Sequence, residues 1–146
     1  MAVTYCTVTD IQNAIRLPEL IGLTDDAGTG NMDGVVVDNA IVQAQAIVDG
    51  YCASRYYVPF PVPVSGIIKS ITIDMAVYFL FQRNQQTEVG QRRIDDYKLA
   101  LERLKEIRSG ALNIQQPEPL HTSYDRVKNN RSIGDLTFNS DKLGRY

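Results

Sequence analysis

Histidine is almost missing from this 146-residue chain. His121 stands alone, which excludes a metal centre built on several imidazoles and leaves any Cys-His pair dependent on distant partners. Cysteine is scarce as well. Cys6 and Cys52 lie far apart, with neither a C-x-x-C spacing nor a neighbouring histidine, so they read as two small apolar thiols in a reducing compartment, not as a disulfide or a metal site. No stretch reaches the roughly 18 to 20 consecutive apolar residues of a membrane span. The start Met1-Ala2-Val3-Thr4-Tyr5-Cys6 lacks the basic opening and apolar run of a secretory signal. These absences lead to the expectation of a soluble protein that is not exported and has no membrane partner.

Charge of one sign is unevenly distributed. Residues 1–87 hold eight acids against four bases, and the remainder holds eleven bases against nine acids. Sequence-independent DNA binding draws on phosphates neutralised by a dense basic stripe. None is present, so a dedicated nucleic-acid binder is not expected.

What is present is enough for one modest core, with 44% hydrophobic residues over 146 positions. The division read from the pattern is a helical body over residues 1–112 and an arm over residues 113–146. The arm carries Ile114, Tyr124, Val127, Ile133, Leu136, Phe138, Leu143 and Tyr146 at wide intervals among Asn, Ser, Asp, Arg and Lys. Such a segment buries too little to offset its own ordering entropy, so it is either disordered or folded against something else, and it reads as an arm for binding a partner or another subunit.

Within the body every periodic segment is helical. Thr7 or Thr9 can cap a short helix through Ile15, with Asp10 near its positive end, and Pro18 opens a second short turn. Residues 24–32, TDDAGTGNM, have loop composition. A long helix is expected from about Asp33, with Val37, Ala40, Ile41, Ala44, Ile47, Val48 and Tyr51 on one face; Gly50 in that run implies a close helix contact or fraying. Pro59-Phe60-Pro61-Val62-Pro63 forms an extended crossover, since each proline biases its predecessor away from the helix. A second long helix, about Val64 to Arg83 with Ser65 as cap, is apolar around nearly its whole circumference, and is therefore either the central element or an interface between copies. A third, from about Glu88 to Ser109, stops at Gly110. The fold class expected is all-α: a small antiparallel bundle of three long helices and two short leading ones, followed by an extended C-terminal arm.

Candidate chemistry is thin, and no catalytic, cofactor or metal residues are assigned. Read as a calcium loop beginning at Asp25, the DDAGTG stretch puts Ala27, Thr29 and Val36 where oxygen ligands belong. As a phosphate cradle it lacks the third glycine, the Lys-Ser/Thr ending and a preceding strand. It reads as an acidic turn feeding a helix. His121 reads as a solvated surface residue. The carboxylates Asp95, Asp96, Glu102 and Glu106 sit among Arg92, Arg93, Lys98, Arg103 and Lys105 on a solvated face. Asp74 is different: it interrupts the most apolar helix, where an ionised carboxylate needs a partner, and Arg55 or a tyrosine hydroxyl is the expected one. An intersubunit contact or a catalytic acid are the lesser alternatives.

These same segments carry a resemblance. The run TDDAGTGNMD, the helix ending in Ile47-Val48-Asp49-Gly50-Tyr51-Cys52-Ala53-Ser54-Arg55-Tyr56, the pairs Val58-Pro59 and Val62-Pro63, Asp74-Met75-Ala76-x-Tyr78, and the closing Phe138-Asn139-Ser140-Asp141-Lys142-Leu143-Gly144-Arg145-Tyr146 together resemble the Mu-type bacteriophage head-tail adaptor family over nearly the whole chain. The Pro-Phe-Pro-Val-Pro crossover is longer here, and the arm is richer in Asn and Ser. The resemblance implies a non-enzymatic neck protein of the virion, made in the host cytoplasm. It would form a ring of roughly twelve copies under the portal protein, with a heterologous interface that closes. It would extend the DNA channel without specific DNA binding and present a docking surface to tail, stopper or terminator proteins. Cofactors are not implied. Candidate partner-binding residues are Arg55, Tyr56 and Asp74 in the body, and Arg131, Leu136, Phe138, Lys142, Leu143 and Tyr146 in the arm, where Leu136-Thr137-Phe138 could add a short strand to a partner. The alternatives are another phage assembly protein, such as a tail-completion or stopper-like component, or a small nucleic-acid-binding bundle.

Overall fold

The computed structural model describes residues 4–84 and 88–115. They form five helices: α1 (Val8–Ala14), α2 (Leu17–Thr24), α3 (Gly34–Cys52), α4 (Gly66–Arg83) and α5 (Gln91–Ser109), with no strand among the described residues. The all-α expectation holds in number and order of helices.

Local chemistry sets the helix ends. Thr7 and Asp10 form a reciprocal capping box at α1, the Asp33 carboxylate accepts from the Val35 amide at 2.8 Å at the start of α3, and the Ser65 hydroxyl accepts from the Ile67 amide at α4. α5 opens at Gln91, three residues later than the sequence suggests, with Gly90 as its cap. It ends on Gly110 in the left-handed region at φ 84°, a conformation most side chains disfavour. Gly50 is exposed two residues before the end of α3, with open space around the position of a Cβ. The close helix contact considered for it is therefore not present.

The three long helices run up, down and up. Residues 36–43 of α3 line a groove with residues 79–83 of α4, so the start of one lies beside the end of the other. At the opposite end, Gly66, Ile67 and Ser70 of α4 meet Arg103 of α5 and Leu112 just beyond it. α4 is the central element and packs against all four other helices. Its Ile68, Ile71, Met75, Val77, Phe79, Leu80 and Phe81 are buried. The second expectation for this helix, an over-wide apolar face left for a neighbouring copy, is corrected: α1, α2, α3 and α5 cover it within one chain, because short α1 and α2 fold back over the sides that α3 and α5 leave open.

The core also continues past the end of α5. Ile114 is buried with the body residues, so the body extends two residues beyond the boundary drawn at residue 112, and Ile114 belongs to it and not to the arm. Arg131, Leu136, Phe138, Lys142, Leu143 and Tyr146, with His121, lie outside the described residues.

Candidate functional site

Three regions stand out on the described surface, and each is built from local constraints. The crossover between α3 and α4 is fastened from inside. Tyr56 and Phe60 are buried, with ring centroids 5.9 Å apart, and Tyr5 packs on Phe60 at 5.6 Å. The Tyr5 hydroxyl donates to Asp49 Oδ1 and accepts from the Phe60 amide at 2.8 Å. One phenol thus ties the N-terminal segment, the last turn of α3 and the crossover together. Burial raises the Tyr5 hydroxyl well above its ordinary range, and burial also raises Asp49, against the pull of the hydrogen bond from Tyr5. The peptide bonds before Pro59 and Pro63 are cis. Its outer side is apolar: Tyr57 and Val62 are 64% and 68% exposed.

Of the body residues proposed for partner binding, Tyr56 is only 2% exposed and its hydroxyl has no hydrogen-bond partner among the described residues. It supports the crossover from within and offers no surface. Arg55 is half-buried, its guanidinium carbon 5.8 Å from the Tyr56 ring and its Nη1 against the backbone of Gly110. Asp74 is half-buried on the α5 side of α4. Burial raises its carboxyl, Asp96 adds to that, and Arg103 and Arg93 oppose it. The charges acting on Asp74 are thus those of α5, and Arg55, the partner expected from the sequence, is not among them. Asp74 lies mid-helix facing α5, whereas Arg55 sits where α5 stops. Tyr78, one turn on, stacks on Tyr97 at 4.2 Å.

The acidic loop is a closed local structure. Asp25 accepts from the Thr29 amide at 2.8 Å, the Thr29 hydroxyl at 3.1 Å and the Gly30 amide at 2.6 Å, which holds its carboxyl below the usual range. Asp26 pairs with Arg83, whose Nη1 also donates to the Leu23 carbonyl at 3.2 Å, and the Asn84 side chain donates to the Gly22 carbonyl at 2.9 Å. These bonds fasten the end of α4 to α2. No group of three or more His, Cys, Asp or Glu able to hold a metal occurs among the described residues. Both cysteines are free and buried, and burial pushes their thiols up to about 12, the setting of structural rather than reactive thiols.

The third surface escaped the sequence reading, which tracked only the inner face of α3. On the opposite face Val35 is 67% and Val42 64% exposed, in line with exposed Asn39, Ala46 and Ala53. A groove of about 280 Å³ runs beside it, lined by Val36, Asn39, Ala40, Gln43, Phe79, Leu80 and Arg83. The signal was available: α3 contains neither Lys, Arg nor Glu. The Tyr5, Asp49 and Phe60 link has no comparable signal, because its members are 44 and 55 residues apart and periodicity speaks only to neighbours.

Taken together, the described residues define a small helical protein whose distinctive features are surfaces and fastened loops. A family model described as Bacteriophage Mu, Gp36 matches residues 5–129. The chain belongs to that family. A comparison with curated proteins gives no match. No helix among the described residues is long and apolar enough to cross a membrane.

Proposed function

We propose that this protein is a structural component of a Mu-type phage virion, a head-tail adaptor that assembles as a ring under the portal and carries the docking surface for the tail or its stopper. The observation that supports this reading best is the family match over residues 5–129, which takes in the whole five-helix body and the start of the segment beyond it. The body suits such a part. Its crossover is fastened by Tyr5, Tyr56 and Phe60 and presents Tyr57 and Val62 outward on a prearranged backbone, which lowers the ordering cost of an interface. In this reading residues 116–146 make the contact with the portal or an adjacent subunit, DNA passes without specific recognition, and no step of chemistry is performed.

Electron microscopy of neck complexes from purified virions tests the proposal. Density for the five-helix body between portal and tail, repeated about the neck axis with roughly the portal's multiplicity, is the expected result. Absence of the chain from the virion, or its location at the distal tail, overturns it. A second measurement addresses the contact: Phe138→Ala or Tyr146→Ala is expected to weaken binding to purified portal by about 2 kcal/mol each, the scale of an aromatic anchor.

A further inference from the structure

A helix on the surface of a globular protein carries charge on the side farthest from the core. α5 obeys this, with Arg92, Asp95, Lys98, Glu102, Lys105 and Glu106 all exposed. α3 does not. Its outermost line, Val35, Asn39, Val42 and Ala46, continued by the exposed cap residue Ala53, falls at helical spacing opposite the buried Val37, Ile41, Ala44 and Val48, and its only charge is the half-buried Asp49. The charges of α3 are Asp38 and Asp49 alone, so any cover should be apolar with a positive balance.

The position and composition of the chain's own C-terminal segment match that requirement. α3 and α5 run in the same direction, and Gly110, at the end of α5, lies against the side chain of Arg55, three residues past the end of α3. With Leu112 against Gly66, Ile67 and Ser70 at the start of α4, the chain leaves the body at the end of the bundle where α3 stops. Thirty-one residues follow Gln115. The line from Val35 to Ala53 is about 27 Å long at helical rise, so about eight extended residues would cover it. Residues 116–146 hold five bases against four acids, with Arg126, Lys128 and Arg131 clustered around Val127, and apolar Tyr124, Ile133, Leu136 and Phe138 on either side.

We infer that the outward face of α3 is the docking site for residues 116–146, its apolar line taking the apolar side chains of that segment and the exposed Asp38 facing its basic cluster. This does not depend on the adaptor reading. If both hold, the face is where the segment is kept, in its own copy or the next, when it is not on the portal.

The test uses the full chain with a photoreactive benzoylphenylalanine at position 42, and separately at position 46, illuminated in solution and mapped by peptide mass spectrometry. The expected result is crosslinks to peptides within residues 116–146. Crosslinks inside one chain mean the segment folds back on its own copy, and crosslinks that double the mass on a denaturing gel mean exchange between copies; both support the inference. Crosslinks to helices of a second copy, or none at either position in a protein of normal helical content, overturn it. Such an outcome leaves the adaptor proposal standing, since that is read from neck density alone.

Discussion

Gly110 lies so close to Arg55 that a Cβ on the glycine would stand 1.8 Å from the arginine Nη1. The contact joins the end of α5 to the crossover, and two effects bear on any replacement. The guanidinium is the far end of a flexible side chain and can swing aside at little cost. The backbone at φ 84° cannot relax without undoing the end of α5. Strain therefore decides the outcome. Gly110→Ala is expected to destabilise by about 1 to 2 kcal/mol, and Gly110→Asn by less, because asparagine visits the left-handed region more readily. Thermal melts of the two variants check the order. Equal losses would assign the effect to Arg55 instead.

Tyr5→Phe removes one oxygen and strands two groups: the half-buried Asp49 carboxylate and the buried Phe60 amide. Leaving buried polar groups unsatisfied costs about 1 to 3 kcal/mol, so a loss of about 2 kcal/mol is expected in a denaturant titration. Loss of the phenol also removes the one interaction holding the Asp49 carboxyl down against burial. Its protonation then moves further upward, and the fall in stability with rising pH described next becomes steeper in this variant.

Asp49 and Asp74 both have carboxyls raised by burial in the folded state. Between the unfolded and folded values the native state binds more protons, so stability falls as pH rises through the carboxylate range and then levels off. Asp10 is lowered, chiefly by Lys69 at 2.8 Å, and acts in the opposite direction at a more acidic pH. Asp74→Asn removes one raised group. The expected melting temperature is equal to or above that of the parent at pH 7, with the difference shrinking towards pH 4, in paired melts at the two values. A variant that melts far lower at pH 7 would show that Arg93 and Arg103 hold Asp74 in a favourable pair.

The end of the body is set by Ile114. A chain ending at Gln115 is expected to keep the helical content and cooperative melting of the full protein. One ending at Leu112 loses a buried side chain, worth about 2 to 3 kcal/mol, and is expected to melt earlier by a clear margin. Circular dichroism melts of the two truncations decide it, and identical melts would return the boundary to residue 112.

Helix number, order and caps were legible in the sequence because they depend on neighbours within a few residues. The inner faces of α3 and α5, the Ser65 cap, the start of α3 near Asp33 and the stop at Gly110 all follow from spacing or from one residue's backbone preference, whereas α5 begins three residues later than expected, behind Gly90. The Mu-type phage resemblance read from the loop and the crossover agrees with the family match over residues 5–129, and the closing residues lie beyond that match. Contacts across the fold were not legible. Asp74 was expected to meet Arg55 or a tyrosine hydroxyl, but which residues of α5 pass it depends on how two helices align. The apolar sides of α4 were ambiguous for the same reason: periodicity counts apolar positions and does not say whether α1 and α2 return to cover them. Ile114 was assigned to the arm because two prolines follow it, although burial reaches further than helix.

The wrapping of α4 carries a consequence for the protein before it is folded. Ile71-Thr72-Ile73-Asp74-Met75-Ala76-Val77-Tyr78-Phe79-Leu80-Phe81 is rich in β-branched and aromatic residues, the kind of run that zips into intermolecular sheet when exposed. Asp74 is its single charge. The carboxylate that burdens the native helix is thus also the gatekeeper of the nascent one, and a variant that melts higher without it would be expected to clump sooner on the way to its native shape.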